Sequence, residues 1–371
     1  MRVLFIFGTR PEAIKLCPVI RELRGQPHEF DARVCVTAQH RGLLDQVLDA
    51  FDIAPHHDLD LMTPGQTLFR STSRILVGLE PVLDAEKPDL VLVQGDTTTT
   101  FCGALAAYYQ RIPVGHVEAG LRTGDPYQPF PEEINRVLAG RLASIHFAAT
   151  ERAAGNLRQE GVDPAFIHVT GNTGIDAVLY VARGLENGAL SGLQGLPLDP
   201  ARKLIVVTLH RRESFGGGIE QVCQALRTLA ARPNVQIVFP VHPNPNVRGP
   251  VERLLSGFAN VLLLDPLPYV PFVDLMRRAT LLLTDSGGIQ EEGPSLGKPI
   301  LVLREKTERP EAVEAGTVRL VGTDPLRILR EAGALLEDPG LLARMSRVHS
   351  PYGDGLASTR ISALLRSFKK K

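Results

Sequence analysis

The chain has 371 residues, of which 44% are hydrophobic and 22% are charged, so it is long enough for two globular domains of ordinary size. Its 41 basic residues balance its 41 acidic residues, which argues against a nucleic-acid-binding protein. The four cysteines include no Cys-x-x-Cys pair, so they predict small buried side chains rather than disulfides or a zinc site. No apolar stretch approaches the roughly 20 residues of a membrane-spanning helix, and we expect a soluble, cytoplasmic protein.

Short apolar runs alternate with helical patterns along the whole chain, which is typical of parallel βαβ units. In the first half, strands are predicted at residues 3–7, 32–37, 90–93, 114–117, 145–149 and 167–170. The helices predicted between them include residues 11–23, 66–85 and 132–143. A second series of strands is predicted at residues 204–208, 236–239, 261–264, 281–283 and 300–303. Helices at residues 326–337, 341–346 and 357–368 close the chain.

Composition changes after Tyr180, where Gly, Leu and Pro become frequent and predict a linker over residues 181–200. We therefore predict an α/β protein with two Rossmann-like, doubly wound domains, at residues 1–180 and 201–355, and a final segment at 356–371. In open α/β sheets, ligands bind outside the carboxyl ends of the strands. The predicted site is therefore a cleft where the carboxyl edges of the two sheets face each other.

The segment LLLTDSGGIQEEGPSL at 281–296 is the strongest candidate for a ligand site. It is a buried strand followed by a Gly pair at the start of a helix, where unpaired backbone N–H groups suit a phosphate. Gly287 and Gly288 would let a ligand approach the backbone closely, and Ser286 adds a hydroxyl donor. The alternative is an ordinary strand-to-helix turn in which Asp285 or Ser286 caps the helix.

Polar residues also follow the predicted strands of the first half. Arg10 and Lys15 come after the first strand and can both reach the start of the next helix. Asp96 follows the strand at 90–93, and Glu118 closes the strand at 114–117. Glu132 opens a helix, near the positive end of its dipole. Each position has an ordinary explanation as a cap or as a favourable charge, but together they bring three carboxylates to one sheet edge.

In the second half, His210 and Arg211 follow the strand at 204–208, and Arg309 comes after the strand at 300–303. Basic groups, a Gly-rich helix start, three carboxylates and a histidine together predict an enzyme for an anionic, nucleotide-sized ligand, with carboxylates that transfer protons. No Walker A, G-x-G-x-x-G or G-x-S-x-G pattern is present, which argues against ATPases, NAD-dependent enzymes and α/β-hydrolases.

Seven ordered motifs resemble those of the non-hydrolysing UDP-N-acetylglucosamine 2-epimerases over nearly the whole chain. They are GTRPEAIK at 8–15, GDTTTT at 95–100, GHVEAGLRT at 115–123, PEEINR at 131–136, HRRE at 210–213, TDSGGIQEE at 284–292 and TERPEAVEAGT at 307–317. The resemblance implies a GT-B-like fold whose last helix crosses back to the first domain. It implies interconversion of UDP-GlcNAc and UDP-ManNAc, with no cofactor and no metal. It also implies a UDP-sugar substrate and a homodimer, without nucleic-acid or membrane partners.

The resemblance also implies roles for individual residues. Asp96, Glu118 and Glu132 correspond to the acid/base set, and His210 lies beside the leaving phosphate. The implied substrate-binding residues are Arg10, Lys15, Phe272, Ser286, Gly287, Gly288, Glu292 and Arg309. In the family's route, UDP leaves C1 while the C2 proton is removed, and UDP adds back to 2-acetamidoglucal after C2 is reprotonated. Because C2 must be reached from both faces, at least two acid/base groups are expected, and which carboxylate serves which face stays open.

Many bacterial members of this family have a second substrate site that activates the enzyme, and this sequence contains only part of its motifs. Gln39, His40 and Arg211 are the candidate allosteric residues, whereas Gly42 and Gly65 stand where polar side chains are usual. Substrate activation therefore stays open: a sigmoidal dependence of rate on UDP-GlcNAc would support it, and a hyperbolic one would remove it. Three other readings also remain, namely a hydrolysing epimerase, a GT-B glycosyltransferase and a UDP-sugar sensor without catalysis.

Overall fold

The structure is a computed structural model that describes residues 1–37, 41–61, 63, 65–211, 214–347 and 351–368. Contacts divide the chain into two compact units. The first unit comprises Met1–Ala177 and Tyr352–Lys371, and the second comprises Val178–Pro351. No helix in the described part of the chain is long and apolar enough to cross a membrane.

The described residues form strands that alternate with helices from end to end. The strands are β1 (Arg2–Phe7), β2 (Asp31–Val36), β3 (His57–Asp58), β4 (Leu90–Gln94), β5 (Val114–Ala119), β6 (Ile145–Ala148), β7 (Ile167–Val169), β8 (Lys203–Thr208), β9 (Val235–Pro240), β10 (Val261–Leu264), β11 (Leu281–Thr284), β12 (Ile300–Val302) and β13 (Val318–Leu320). The helices are α1 (Arg10–Arg24), α2 (Arg41–Ala50), α3 (Leu68–Glu86), α4 (Thr98–Tyr109), α5 (Glu132–Leu142), α6 (Glu151–Gln159), α7 (Thr173–Glu186), α8 (Gly217–Ala230), α9 (Pro245–Leu255), α10 (Tyr269–Arg278), α11 (Gly287–Ser295), α12 (Pro310–Glu314), α13 (Pro325–Glu337), α14 (Pro339–Met345) and α15 (Ala357–Ser367).

Each unit is built on one parallel sheet. In the first, the strand order is β3-β2-β1-β4-β5-β6-β7; in the second, it is β10-β9-β8-β11-β12-β13. The central strands are apolar and buried, as expected where helices cover both faces of a parallel sheet. The strand order reverses between β1 and β4 in one sheet and between β8 and β11 in the other. Such a reversal opens a crevice at the carboxyl edge, which is where open α/β sheets bind ligands.

The C-terminal segment belongs to the first unit and packs on its first helix. Asp176 of α7 accepts hydrogen bonds from the backbone N–H groups of Ala357 and Ser358, at 3.2 and 2.7 Å, and so caps the start of α15. Farther along, the Ser362 hydroxyl lies 3.1 Å from the Gln26 side-chain oxygen, beyond the end of α1. A capped start and contacts along its length fix α15 against the rest of this unit.

The predicted α/β class with two doubly wound parallel sheets is confirmed. Every strand predicted from the sequence is present, with ends within about two residues of the prediction. The short strands β3 and β13 were not predicted, and α7 continues to Glu186, through the first residues of the predicted linker. The four cysteines are free and buried, as predicted.

Candidate functional site

A buried carboxylate joins the two loops on either side of the strand-order reversal in the first unit. Glu12 Oε2 accepts hydrogen bonds from the backbone N–H groups of Gly8 and Thr9, at 3.1 and 2.8 Å. Its Oε1 accepts from the hydroxyls of Thr97 and Thr100, at 2.8 and 3.2 Å. Burial raises the pKa of Glu12, and these hydrogen bonds oppose that shift. The loops after β1 and β4 are therefore held in one arrangement.

Asp96 lies two residues after the end of β4 and contacts residues of α5. Its carboxylate forms an ion pair with Arg136, and its backbone carbonyl accepts a hydrogen bond from Asn135 Nδ2 at 3.0 Å. Burial raises the pKa of Asp96, and the negative charge of Glu132 raises it further, against the opposing charges of Arg136 and Lys15. The structure therefore brings Asp96, Glu132 and Lys15 into one electrostatic cluster.

Glu118 lies at the end of β5, where the register of the strand shifts against β6. Its φ of 62° is in the left-handed region, which turns its side chain out of the regular strand pattern. Lys15 Nζ contacts Oε1 of the carboxylate, and Gln94 Nε2 contacts Oε2. Asn172 Nδ2 also donates to Oε1, at 3.3 Å. Three donors, one of them cationic, thus hold this carboxylate in one orientation beside the Asp96 cluster.

In the second unit, the start of α11 lies at the strand-order reversal between β8 and β11. Ser286 occupies the N-cap position, but its hydroxyl makes no capping hydrogen bond within the described residues. The Ser286 side chain therefore does not occupy the first backbone N–H groups of α11. An anion site at a helix start requires that such N–H groups be available to the ligand. A Cβ atom added at Gly287 would lie only 2.5 Å from Arg309 Nη1, so glycine is needed for the guanidinium to lie against this turn.

Three arginines surround Glu308 next to the same turn. The Glu308 carboxylate lies 2.7 Å from Arg309 Nη1, 2.8 Å from Arg304 Nη1 and 3.5 Å from Arg211 Nη2. Burial would raise the pKa of Glu308, but the charges of Arg309 and Arg304 outweigh it and lower the pKa to about 2. Arginines beside a helix start form a site suited to a phosphate or diphosphate.

His210 follows β8 and is held by Asp285, which follows β11. Asp285 Oδ2 accepts hydrogen bonds from the backbone N–H groups of His210 and Arg211, at 2.9 and 2.8 Å. Its Oδ1 lies 2.9 Å from His210 Nδ1. Burial would raise the pKa of Asp285, but the contacts with His210 and with the two backbone N–H groups lower it below its usual range. The ring of His242 stacks on His210, with centroids 6.2 Å apart.

The predicted site residues thus fall into two clusters, one in each unit. Lys15, Asp96, Glu118 and Glu132 come together in the first unit; His210, Arg211, Ser286, Gly287, Gly288 and Arg309 come together in the second. Of the remaining candidates, Arg10 is the first residue of α1, Phe272 is partly buried on α10, and Glu292 is buried in the second turn of α11. The candidate allosteric residues Gln39 and His40 lie outside the described residues.

Sequence reasoning did not single out Arg136, Asn172 or Asp285 as members of the site. Arg136 belongs to PEEINR, so its position one turn after Glu132 could have indicated a charge partner for Asp96. Asn172 comes directly after Gly171, just past the end of β7, a pattern like those of the other strand ends. The sequence predicts only a possible helix cap for Asp285, whereas Asp285 contacts the backbone that follows the neighbouring strand.

Comparison with known proteins first shows the class of the fold. A structure titled as the glycotransferase of kitacinnamycin aligns with a TM-score of 0.65 over 99% of this chain and 98% of its own, at 14% identity, so the two share the GT-B-like fold alone. The family model described as UDP-N-acetylglucosamine 2-epimerase matches residues 21–366. The chain therefore belongs to the UDP-N-acetylglucosamine 2-epimerase family, and the resemblance found in its motifs is confirmed.

Two relatives show how close this similarity is. The UDP-N-acetylglucosamine 2-epimerase of Salmonella typhimurium is 58% identical over 100% of this chain and 99% of its own. The crystal structure of the UDP-GlcNAc 2-epimerase from Neisseria meningitidis, bound to UDP-GlcNAc, aligns with a TM-score of 0.93 at 48% identity. That alignment covers 99% of this chain and 100% of the other. The similarity thus spans both units and all of the motifs.

Proposed function

We propose that the protein interconverts UDP-GlcNAc and UDP-ManNAc by eliminating UDP and adding it back. The observation that carries the proposal is the cluster of Asp96, Glu118 and Glu132 at the strand-order reversal of a chain that belongs to this family. The solved relative that holds UDP-GlcNAc supports a UDP-sugar as the ligand. The product would supply ManNAc units for a cell-surface polysaccharide.

In the proposed reaction, a carboxylate of the first unit removes the proton from C2. The electrons of that C–H bond form the C1=C2 double bond, and the C1–O bond breaks with its electron pair going to the diphosphate. The neutral product is 2-acetamidoglucal. A protonated carboxyl group then delivers a proton to the opposite face of C2, while a phosphate oxygen of UDP attacks C1.

The environments of two carboxylates suit these opposite tasks. Glu118 faces Lys15 and two amide donors, which hold its carboxylate in one orientation, as a base that removes a proton from a fixed position requires. Burial and the neighbouring charge of Glu132 raise the pKa of Asp96, which favours a form that donates one. The proposed division is therefore Glu118 as base and Asp96 as acid in one direction, with the roles exchanged in reverse.

The second unit is proposed to bind and stabilise UDP as it leaves. Negative charge grows on the diphosphate when the C1–O bond breaks, so donors fixed in advance lower the barrier most. The N–H groups at the start of α11 and the guanidinium of Arg309 supply such donors. His210 adds an imidazole donor from the neighbouring strand end.

Incubation of the protein with UDP-GlcNAc alone in D2O tests the function. The expected product is UDP-ManNAc that carries deuterium at C2, detected by NMR and mass spectrometry. Release of free ManNAc and UDP would instead indicate a hydrolysing epimerase. Unchanged UDP-GlcNAc would indicate a glycosyltransferase or a sensor, and would contradict the proposal.

A homodimer is the second part of the proposal, and it is supported by exposed apolar side chains on α3, α4 and α5. Phe69 of α3 is 88% exposed and Tyr109 of α4 is 69% exposed, and Ile134 and Leu138 of α5 are also exposed. Because α4 packs against both other helices, these residues belong to one side of the first unit. An exposed group of large apolar residues is typical of an interface.

Sedimentation equilibrium should give a molecular mass twice that of the chain. The double variant Phe69→Glu, Tyr109→Glu should sediment as a monomer, because two charges would be buried in the interface. Leu326→Glu is the matched control: this residue is 76% exposed on α13, in the other unit. A monomeric wild-type protein, or a double variant that stays dimeric, would contradict this interface.

A further inference from the structure

One buried carboxylate fixes both the ring and the backbone of His210. β8 and β11 are neighbours, paired in parallel with Thr208 opposite Thr284, so the residues that follow them lie side by side. Asp285 is fully buried there, and its Oδ2 accepts the backbone N–H groups of His210 and Arg211, at 2.9 and 2.8 Å. These two bonds leave Oδ1 facing His210 Nδ1, at 2.9 Å.

This arrangement decides which nitrogen of the imidazole is available to a ligand. Asp285 Oδ1 is buried, has no hydrogen bond of ordinary geometry within the described residues and lies at ion-pair distance from Nδ1. Its negative charge therefore favours a proton on Nδ1, and Nε2 is left for other partners. The His210 side chain is 39% exposed, which allows Nε2 to meet a ligand. The stacked His242 is held differently, because its Nδ1 accepts the backbone N–H of Asn244 at 3.2 Å.

We propose that Asp285 is a positioning residue for His210, holding Nδ1 protonated and directing Nε2 to the diphosphate oxygen that leaves C1. The carboxylate also balances the positive charge of the imidazolium, whose Nε2–H donates to that oxygen. No bond to Asp285 forms or breaks in this step. The role at the diphosphate rests on the proposed function, whereas the arrangement of Asp285 and His210 does not.

The variant Asp285→Asn separates this role from simple packing, because the side chain keeps its size. The two backbone N–H groups require an acceptor, so the amide oxygen takes the place of Oδ2 and the amide NH2 group takes the place of Oδ1. That NH2 group donates to His210 Nδ1, which must then be unprotonated. In the neutral ring, the proton is therefore on Nε2. In the imidazolium, the Nδ1–H group would face the amide NH2 group, which is also a donor, and the stabilising charge of the carboxylate is lost.

Nitrogen-15 NMR of the histidine rings tests the arrangement without any turnover. The His210 signals are assigned from the spectrum of His210→Asn. In the wild-type protein, the neutral ring of His210 should carry its proton on Nδ1, and in Asp285→Asn it should carry it on Nε2. A ring whose tautomer is the same in both proteins would overturn the proposal. Because no substrate is needed, this result stands even if the epimerase assay in D2O fails.

Steady-state kinetics test the role at the diphosphate. Asp285→Asn should lower kcat roughly 100-fold or more while KM and the Kd for UDP change less than about threefold. In a His210→Asn background, adding Asp285→Asn should cause no further loss, since the carboxylate acts through the ring. Losses that multiply in the double variant, or a kcat that is unchanged in the single one, would overturn the proposal.

A matched control comes from Asp338, which caps α14 through the backbone N–H groups of Gly340 and Leu341, at 2.8 and 3.0 Å. Asn caps a helix as well as Asp does, so Asp338→Asn should keep wild-type kcat and wild-type histidine spectra. The thermal midpoint of Asp285→Asn is measured beside it. If Asp285→Asn unfolds at assay temperature, Asp285→Ser takes its place and is compared with the wild type, with the His210 signals again assigned from His210→Asn. An Nδ1–H tautomer that persists in the Ser variant would overturn the proposal.

Discussion

Glu118 combines a strained backbone with a side chain that three donors hold in place. Its left-handed φ of 62° is uncommon for any residue with a side chain, and Gly120 follows with a φ of 90°. A Cβ atom at Gly120 would lie 2.2 Å from the Ala153 carbonyl oxygen, so glycine is required there. The local chain thus departs from a regular strand at the point where Lys15 and Asn172 hold the carboxylate. Strain of this kind is typical of functional positions.

Replacing Glu118 or Glu132 with Gln should lower turnover of UDP-GlcNAc about 100-fold or more, because an amide cannot accept the C2 proton or return it. Binding of UDP, measured by calorimetry, should stay within about threefold of wild type, since the donors proposed to bind its diphosphate lie in the second unit. The matched control is Glu337→Gln, an exposed carboxylate at the end of α13 that should leave turnover unchanged. Wild-type turnover in either variant would contradict the acid/base assignment.

Single residues also show what the sequence could and could not predict. Asp96, Glu118 and His210 were predicted because each follows an apolar strand, and the carboxyl ends of parallel strands share an edge. Asp285 lies 75 residues from His210, and only the pairing of β8 with β11 makes them neighbours. Asn172 is a similar case, because its contact with Glu118 depends on how the loop after β7 folds. Such contacts follow from register, which a single sequence does not state.

Among the strands, the two that the sequence does not predict, β3 and β13, are short and lie at the edges of the two sheets. β3 has only two residues, His57 and Asp58, and pairs with the edge of β2. β13 has three residues with an arginine in the middle, so neither strand shows an apolar run or a clear alternation. The start of α11 was predicted from its glycines. The structure adds that a side chain at Gly287 would collide with the guanidinium of Arg309, which the sequence alone does not show.

Gly287→Ala should weaken UDP binding roughly 10- to 100-fold. The new methyl group would meet Arg309 Nη1 at 2.5 Å, so the guanidinium must leave the start of α11 and the proposed diphosphate site loses a charged donor. Calorimetric titration with UDP measures the effect. Gly155→Ala in α6 is the control, because a Cβ atom there meets open space and the substitution favours the helix. Binding as tight as wild type in Gly287→Ala would contradict the assigned anion site.

Over the whole chain, each unit contains a carboxyl group whose pKa is strongly lowered by basic neighbours. In the second unit this is Glu308, part of the proposed diphosphate site. In the first unit it is Glu86, at the end of α3, whose carboxylate meets Arg33 through two hydrogen bonds of 3.0 Å and His57 Nε2 at 2.6 Å. Burial would raise the pKa of Glu86, but Arg33 and His57 outweigh it and lower the pKa to about 2.

The low pKa of Glu86 makes the stability of the protein depend on pH with a definite sign. Since the folded-state pKa lies below the ordinary value of 4.5, the contribution of Glu86 is fully present above about pH 4.5 and is lost as the pH falls toward 2. Urea unfolding of the wild type at a series of pH values should therefore show a falling free energy of unfolding across that range.

The variant Glu86→Gln isolates this contribution. It should lower the free energy of unfolding by about 1–3 kcal/mol at pH 7, because Arg33 and His57 lose a charged acceptor. Below pH 2 the variant and the wild type should converge, since the wild-type carboxyl group is then protonated as well. Glu337→Gln, at an exposed ion pair with Arg232, should run parallel to the wild type throughout. A difference between Glu86→Gln and wild type that stays constant from pH 7 to pH 2 would show that the Glu86 charge is not what its neighbours stabilise.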